Sequence, residues 1–238
     1  MNARKGGTIV LLSLVAAGCS DREARHVSGS SLPERPMARS QPAVASGGTG
    51  GGNGRVDRPS ATSAQKSALD IYRCLEPASC TSDLLSASSE AEARWLQVNG
   101  YPAERELKAL EALGDAQLAD RVKKGSLPAM VVYGERLSLA GNTQTGMTLL
   151  LDAANRGSLY AYYGFSNVYR QVPGLRDHIE AAAYLRVAYI LGDSKAAQQM
   201  LSDFPGYGPA DYSVVDRRAS QLYKTLARER RPSVRPSE

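Results

Sequence analysis

Apolar positions follow three regimes along this chain. Thr8 to Ala17 (TIVLLSLVAA) is a nearly unbroken apolar run preceded by Arg4 and Lys5. Ten residues of helix span roughly 15 Å, about half a bilayer core, so the run has the dimensions of a signal-peptide core and not of a transmembrane span. From residue 20 to residue 64 the larger aliphatic side chains thin out to Val27, Leu32, Met37, Val44 and Val56, scattered among Ser, Pro and the stretch GGTGGGNG at 47–54. Such a segment buries too little apolar surface to offset its ordering entropy, and a disordered tether is expected. From about residue 63 apolar residues return with helical spacing.

Ala64, Ala68, Ile71, Tyr72 and Leu75 fall on one helical face, and Pro77 ends that helix near Glu76. Ser89 to Glu92 reads as a capping box before Ala93, Trp95, Leu96 and Val98, with Asn99-Gly100 as the stop. Tyr101-Pro102 opens a helix carrying Leu107, Leu110 and Leu113, and Asp115 opens another carrying Leu118 and Val122. Past an interruption at 205–209 (PGYGP), a last helix begins at Asp211 or Ser213 and ends near Pro232, with Val214, Val215, Leu222, Tyr223 and Leu226 as its apolar face. Its outer, solvated face carries Arg217, Arg218, Lys224, Arg228, Arg230 and Arg231.

Between these flanks the pattern repeats. Gly125, Ala129, Tyr133, Gly134 and Leu137 are matched by Gly157, Ala161, Phe165, Ser166 and Tyr169, and then by Gly192, Ala196, Met200, Leu201 and Phe204. Gly supplies the left-handed turn that stops one helix before the next, and Ala with the small residue lets helices approach. A period in the thirties with this logic predicts an α-solenoid. Residues 125–204 resemble the Sel-one-like repeat, a relative of the tetratricopeptide repeat. Gly146, Met147, Tyr189 and Leu201 depart from the family pattern and predict units bent from a regular stack.

Charge refines this picture. The 29 Lys+Arg against 24 Asp+Glu give a formal +5, but the excess sits at the two ends, leaving the body near neutrality. A broad nucleic-acid-binding face is therefore not expected. Two His and three Cys leave little for a metal site, His26 falls in the tether, and His178 reads as a surface residue beside a helix start. No nucleophile elbow, metalloprotease or paired Cys-x-x-Cys motif is present, so no catalytic residue, metal or cofactor is assigned. Cys74 and Cys80 flank a turn, and in an exported chain they read as a structural disulfide. Val15-Ala16-Ala17-Gly18-Cys19 followed by Ser20 resembles the lipobox of a bacterial lipoprotein precursor. That resemblance implies lipidation of Cys19 and an outer-membrane anchor facing the periplasm; two or more acyl chains suffice to hold a protein on a bilayer.

The expected organisation is an all-α protein built as a short α-solenoid of antiparallel helix hairpins. A signal peptide (1–18) and a lipidated tether (19–64) precede N-terminal helices with the Cys74-Cys80 bridge (65–124), the repeats (125–204), a capping helix (205–231) and a tail (232–238). The resemblance implies a partner-binding inner face, to which the register assigns Val131, Glu135, Tyr160, Tyr163, Asn167, Arg170, Gln198 and Ser202. Tyr160 and Tyr163 are the leading contacts, while Tyr162, Tyr169, Tyr184 and Tyr189 are assigned to the core. The expected function is an adaptor that binds another envelope protein in secretion, polysaccharide export, motility or assembly. The rivals are an immunity or inhibitor lipoprotein that captures a toxin or cell-wall-degrading enzyme, and an envelope enzyme.

Overall fold

The structure, a computed structural model, describes residues 69–74 and 83–236. Cys19, Cys80, the signal peptide and the tether lie outside the described residues. Among those described, the chain is all-helical: α1 (Glu90–Val98), α2 (Glu104–Glu111), α3 (Asp115–Lys123), α4 (Leu127–Leu139), α5 (Thr143–Asn155), α6 (Tyr160–Gln171), α7 (His178–Ile190), α8 (Lys195–Asp203) and α9 (Pro209–Leu226). None of these helices is long and apolar enough to cross a membrane.

The first described segment departs from expectation. A 3-10 turn over Asp70–Tyr72 gives way to extended backbone at Arg73, so the helix stops short of Glu76. The cause is a competing partner, because the Ala87 N–H donates to the Tyr72 carbonyl at 2.7 Å and Arg73 forms a parallel bridge with Ala87. Ile71 points outward and is exposed.

Local signals set most helix ends. Ser89 caps α1 by accepting the Glu92 N–H at 3.2 Å. The reciprocal half of the capping box is not made, since the Glu92 carboxylate instead accepts from the Ser88 N–H and hydroxyl at 2.7 and 2.8 Å. Val98, expected inward, is 74% exposed on the last turn of α1. The repeat glycines Gly125, Gly157 and Gly192 all have positive φ. Each lies just past a helix end, where a left-handed residue closes the turn.

Packing follows the small residues. α4 packs along α5 and α6 along α7; α6 also lies against α4 and α5, while α8 and α9 both rest on α7 and α3 rests on α4. Gly134 and Gly146 face each other across α4 and α5, where a Cβ on Gly146 would sit 2.2 Å from Ser138 Oγ and 2.3 Å from the Gly134 carbonyl. Glycine at 146, a departure from the repeat pattern, is thus what this close crossing requires. Leu96, Tyr101, Leu150, Leu159, Tyr162 and Leu185 centre the core, and Leu110, Leu118 and Ala129 form a smaller cluster beneath α2 and α3.

α9 begins at Pro209 and stops at Leu226, before Pro232. The tail beyond it is part of the fold. The Ser233 N–H donates to the Leu191 carbonyl at 3.0 Å and the Arg235 N–H to the Gly192 carbonyl at 2.8 Å, laying an extended strap across the turn between α7 and α8. Nor is the outer face of α9 uniformly solvated. Arg218 grips Glu180 of α7 with two hydrogen bonds of 2.5 and 2.8 Å, and Arg230 turns inward to Asn99 and the Gly157 carbonyl.

Candidate functional site

Two polar constellations stand out on the helices assigned to the partner face. One is sealed and the other is partly open. The sealed one centres on Asp193, fully buried after the Gly192 turn. Its Oδ2 accepts hydroxyl hydrogen bonds from Tyr101 at 2.5 Å and Tyr163 at 2.6 Å, and its Oδ1 meets Arg235 Nη1 at 3.2 Å. Arg235 is 2% exposed and also donates to Glu92 Oε1 at 2.6 Å and to the Leu84 and Ser86 carbonyls. Its guanidinium lies 5.5 Å from the Trp95 ring centroid, and Trp95 Nε1 donates to the Ser233 carbonyl at 2.8 Å. Lys195 completes the group, 3.5 Å from Glu92 and donating to the Asp83 and Ser86 carbonyls.

Two carboxylates and two cations leave this cluster neutral, which is how buried charge is tolerated. Burial alone would raise the Glu92 pKa, but the Ser88 hydrogen bonds and the Arg235 guanidinium carry it below its ordinary value. Burial lowers the Lys195 pKa, with the Arg235 charge acting in the same direction. Burial likewise pushes the Tyr101 and Tyr163 hydroxyls well above the usual phenol range, reinforced at Tyr101 by Tyr163 and Asp193 and at Tyr163 by Asp193.

This cluster corrects the partner assignment. Val131, Tyr160 and Tyr163 are buried and do not form an open face. Tyr163 is consumed by Asp193. Tyr160 stacks on Tyr163 with ring centroids 6.2 Å apart and leans on Tyr101 at 5.7 Å. Val131 faces Gly164, where an added Cβ would come within 2.9 Å of its Cγ1. Repeat register could not reveal that residues 83–101 and 233–235 pack over this surface. Tyr162 and Tyr184 are core, as expected, whereas Tyr189 is 42% exposed beneath Arg186 at 5.0 Å.

The open constellation holds the remaining assigned residues. Gln198 and Ser202 are exposed on α8, and Asn167 and Arg170 are half-buried on α6. Arg170 pairs with Asp203, which also accepts from Gln199 at 3.0 Å. Glu135 of α4 is half-buried and accepts from Asn167 Nδ2 at 3.3 Å. Removal from water, with Glu111 adding like charge, pushes its carboxyl up to about 7 against the Asn167 hydrogen bond.

Sequence reasoning missed Asp193, Arg235 and Glu92. Glu92 was read as half of a capping box and Arg235 as tail. One signal was available: Pro232 and Pro236 bracket Ser233-Val234-Arg235 and favour extended backbone, a conformation suited to pairing with an exposed turn. A separate cleft of about 820 Å³ lies between the end of α5 and the end of α9, with Asn99, Arg156, Lys224 and Arg230 among its walls. No protein-family model, curated protein or solved structure matches this chain.

Proposed function

We propose that this chain is a periplasmic lipoprotein, anchored in the outer membrane through Cys19, whose helix pairs form a short solenoid that binds another envelope protein along its inner helices. The observation that carries the reading is that Gln198 and Ser202 are exposed on α8, which the Arg170–Asp203 pair ties to the half-buried Asn167 and Arg170 of α6, while the aromatic surface of Tyr160 and Tyr163 is closed by the chain itself. Hydrogen-bonding groups on packed helices are held in place before a partner arrives, which lowers the entropic cost of association. The left-handed turns at Gly125, Gly157 and Gly192 and the contact of α4 with α6 support the repeat reading. A Cys74-Cys80 bridge belongs to the same proposal, as a staple suited to an oxidising compartment.

The test is site-specific photocrosslinking in the native bacterium. A crosslinker at Gln198 or Ser202 is expected to trap one envelope protein that a crosslinker at Val98 does not, and the double substitution Arg170→Ala with Gln198→Ala is expected to abolish the product. Identical products from all three positions would remove the adaptor reading. Cys19→Ser is expected to abolish palmitate labelling, and labelling that persisted would remove the anchor.

A further inference from the structure

We infer that the cleft between the ends of α1, α5 and α9 binds a small organic molecule bearing a phosphate monoester, with Lys224 and Arg230 meeting the phosphate. None of its walls belongs to α6 or α8, so the inference stands apart from the partner-binding proposal.

Cations drawn from water elsewhere in this fold are matched by acids. Arg235 meets Glu92 and Asp193, Lys195 meets Glu92, and Arg170 meets Asp203. Arg230 is also half-buried, yet no carboxylate among the described residues pairs with it. Its Nη2 donates to two neutral acceptors, Asn99 Oδ1 at 3.1 Å and the Gly157 carbonyl. Its Nη1 is sealed from water with no hydrogen-bond partner. Burial pulls this guanidinium below its ordinary value, and what opposes the shift comes from the Tyr162 and Tyr101 hydroxyls. Arginine stays charged even so. A cation held in this way is destabilised relative to the same cation in water, and an anion brought against it reverses that cost.

The cleft sets that cation against open space. Arg230 is one wall of a volume of about 820 Å³, and Lys224, Arg228 and Arg156 stand around it. Arg156 is matched by Asp152 at 3.6 Å and Arg228 by Glu229 at 3.8 Å. Lys224, which is exposed, has no acid partner among the described residues. Lys224 and Arg230 thus leave two positive charges uncompensated, which suit one dianion better than a single carboxylate. A phosphate monoester carries that charge above its second pKa of about 6, and its three acceptor oxygens can serve an ammonium and a guanidinium together. The volume is far larger than a phosphate needs and falls in the range of small-molecule sites. Val98, 74% exposed, and Leu226 add apolar surface to the walls. The phosphate therefore comes attached to an organic body of about the size of a sugar.

Isothermal titration calorimetry on the full chain tests this, with glucose 6-phosphate as probe and glucose and glucuronate as controls. Glucose 6-phosphate is expected to bind saturably, glucuronate about tenfold more weakly, and glucose not at all. Lys224→Gln, at an exposed side chain, should weaken the phosphate about threefold, and Arg230→Gln at least about tenfold. No histidine lines the cleft, so the affinity of the unaltered protein should fall about fivefold between roughly pH 7.5 and pH 5 as the ester takes up a proton. That measurement stands whatever a variant does to folding. Vesicles containing phosphatidate form a second arm. Binding to them that K224Q and R230Q weaken, with none of the sugar phosphate, supports the site and assigns the phosphate to a lipid headgroup. Glucuronate binding as tight as the phosphate, no binding in either arm, or an affinity that neither variant nor the lower pH reduces overturns the site, whether or not crosslinking from Gln198 traps a partner.

Discussion

Glu92 and Glu135 are both carboxylates removed from water, and their surroundings treat them in opposite ways. Around Glu92, two serine donors and a guanidinium from the far end of the chain overcome the cost of burial and favour the ionised form. Around Glu135, one amide donor fails to overcome it, and the proton is held up to about pH 7. The first arrangement is complete and rigid. The second leaves an acid whose single amide donor does not outweigh its burial, and no cation among the described residues meets it.

The contrast breaks most severely if Arg235 is removed. Arg235→Ala leaves Glu92 and Asp193 in the interior with Lys195 as the remaining cation. A loss of about 3–5 kcal/mol in unfolding free energy is expected, read by urea titration. A loss near zero would mean that the strap is an ornament of the fold. Gly192→Ala attacks the same strap from beneath. Its Cβ would meet the Ser233 carbonyl at 2.1 Å, at a residue whose φ is +115°. Roughly 2–3 kcal/mol should be lost, with faster hydrogen exchange at the Ser233 and Arg235 amides.

At Glu135 the sign reverses. The free carboxyl titrates at 4.5 and the folded one at about 7, so between those values the folded state holds the extra proton. Its contribution to stability is full below the lower pH and is lost as pH rises through the upper. Glu135→Gln removes the charge and should stabilise the protein by about 2 kcal/mol at pH 8, a difference that shrinks below about 1 kcal/mol at pH 5 and vanishes below the lower value. Thermal melts at the two pH values decide this, and a variant equally shifted at both would disprove the raised pKa. The smallest effect is expected at Arg170→Ala. Asp203, 12% exposed, keeps its Gln199 hydrogen bond there, so stability should fall by about 1–2 kcal/mol while partner capture is expected to be lost.

The helical class was legible because glycine turns and apolar spacing are local properties of a sequence. Ser89, Gly125, Gly157 and Gly192 act as read, each through residues within four positions. The assignment of Tyr160 and Tyr163 to an open face failed because what covers them comes from elsewhere in the chain. Tyr101 lies 92 positions from Asp193, and Trp95 lies 138 from Ser233. Periodicity reports which side of a helix is apolar and is silent about what arrives to cover it. The same limitation concealed the charge matching that distinguishes Glu92 from Glu135, since Arg235 stands 143 positions beyond its carboxylate partner.

That separation also has a consequence in time. A polypeptide is synthesised from its N-terminus, so the segment around Glu92 exists long before the residue that neutralises it. Contacts so distant in sequence form late, because the intervening loop must be closed before they reward the chain. The helices can assemble from local contacts, but the cluster beneath the strap stays open until residues 233–235 have joined it. A chain cut after Val234 lacks Arg235. Closing that long loop over Glu92 and Asp193 is thus the step that completes the cluster.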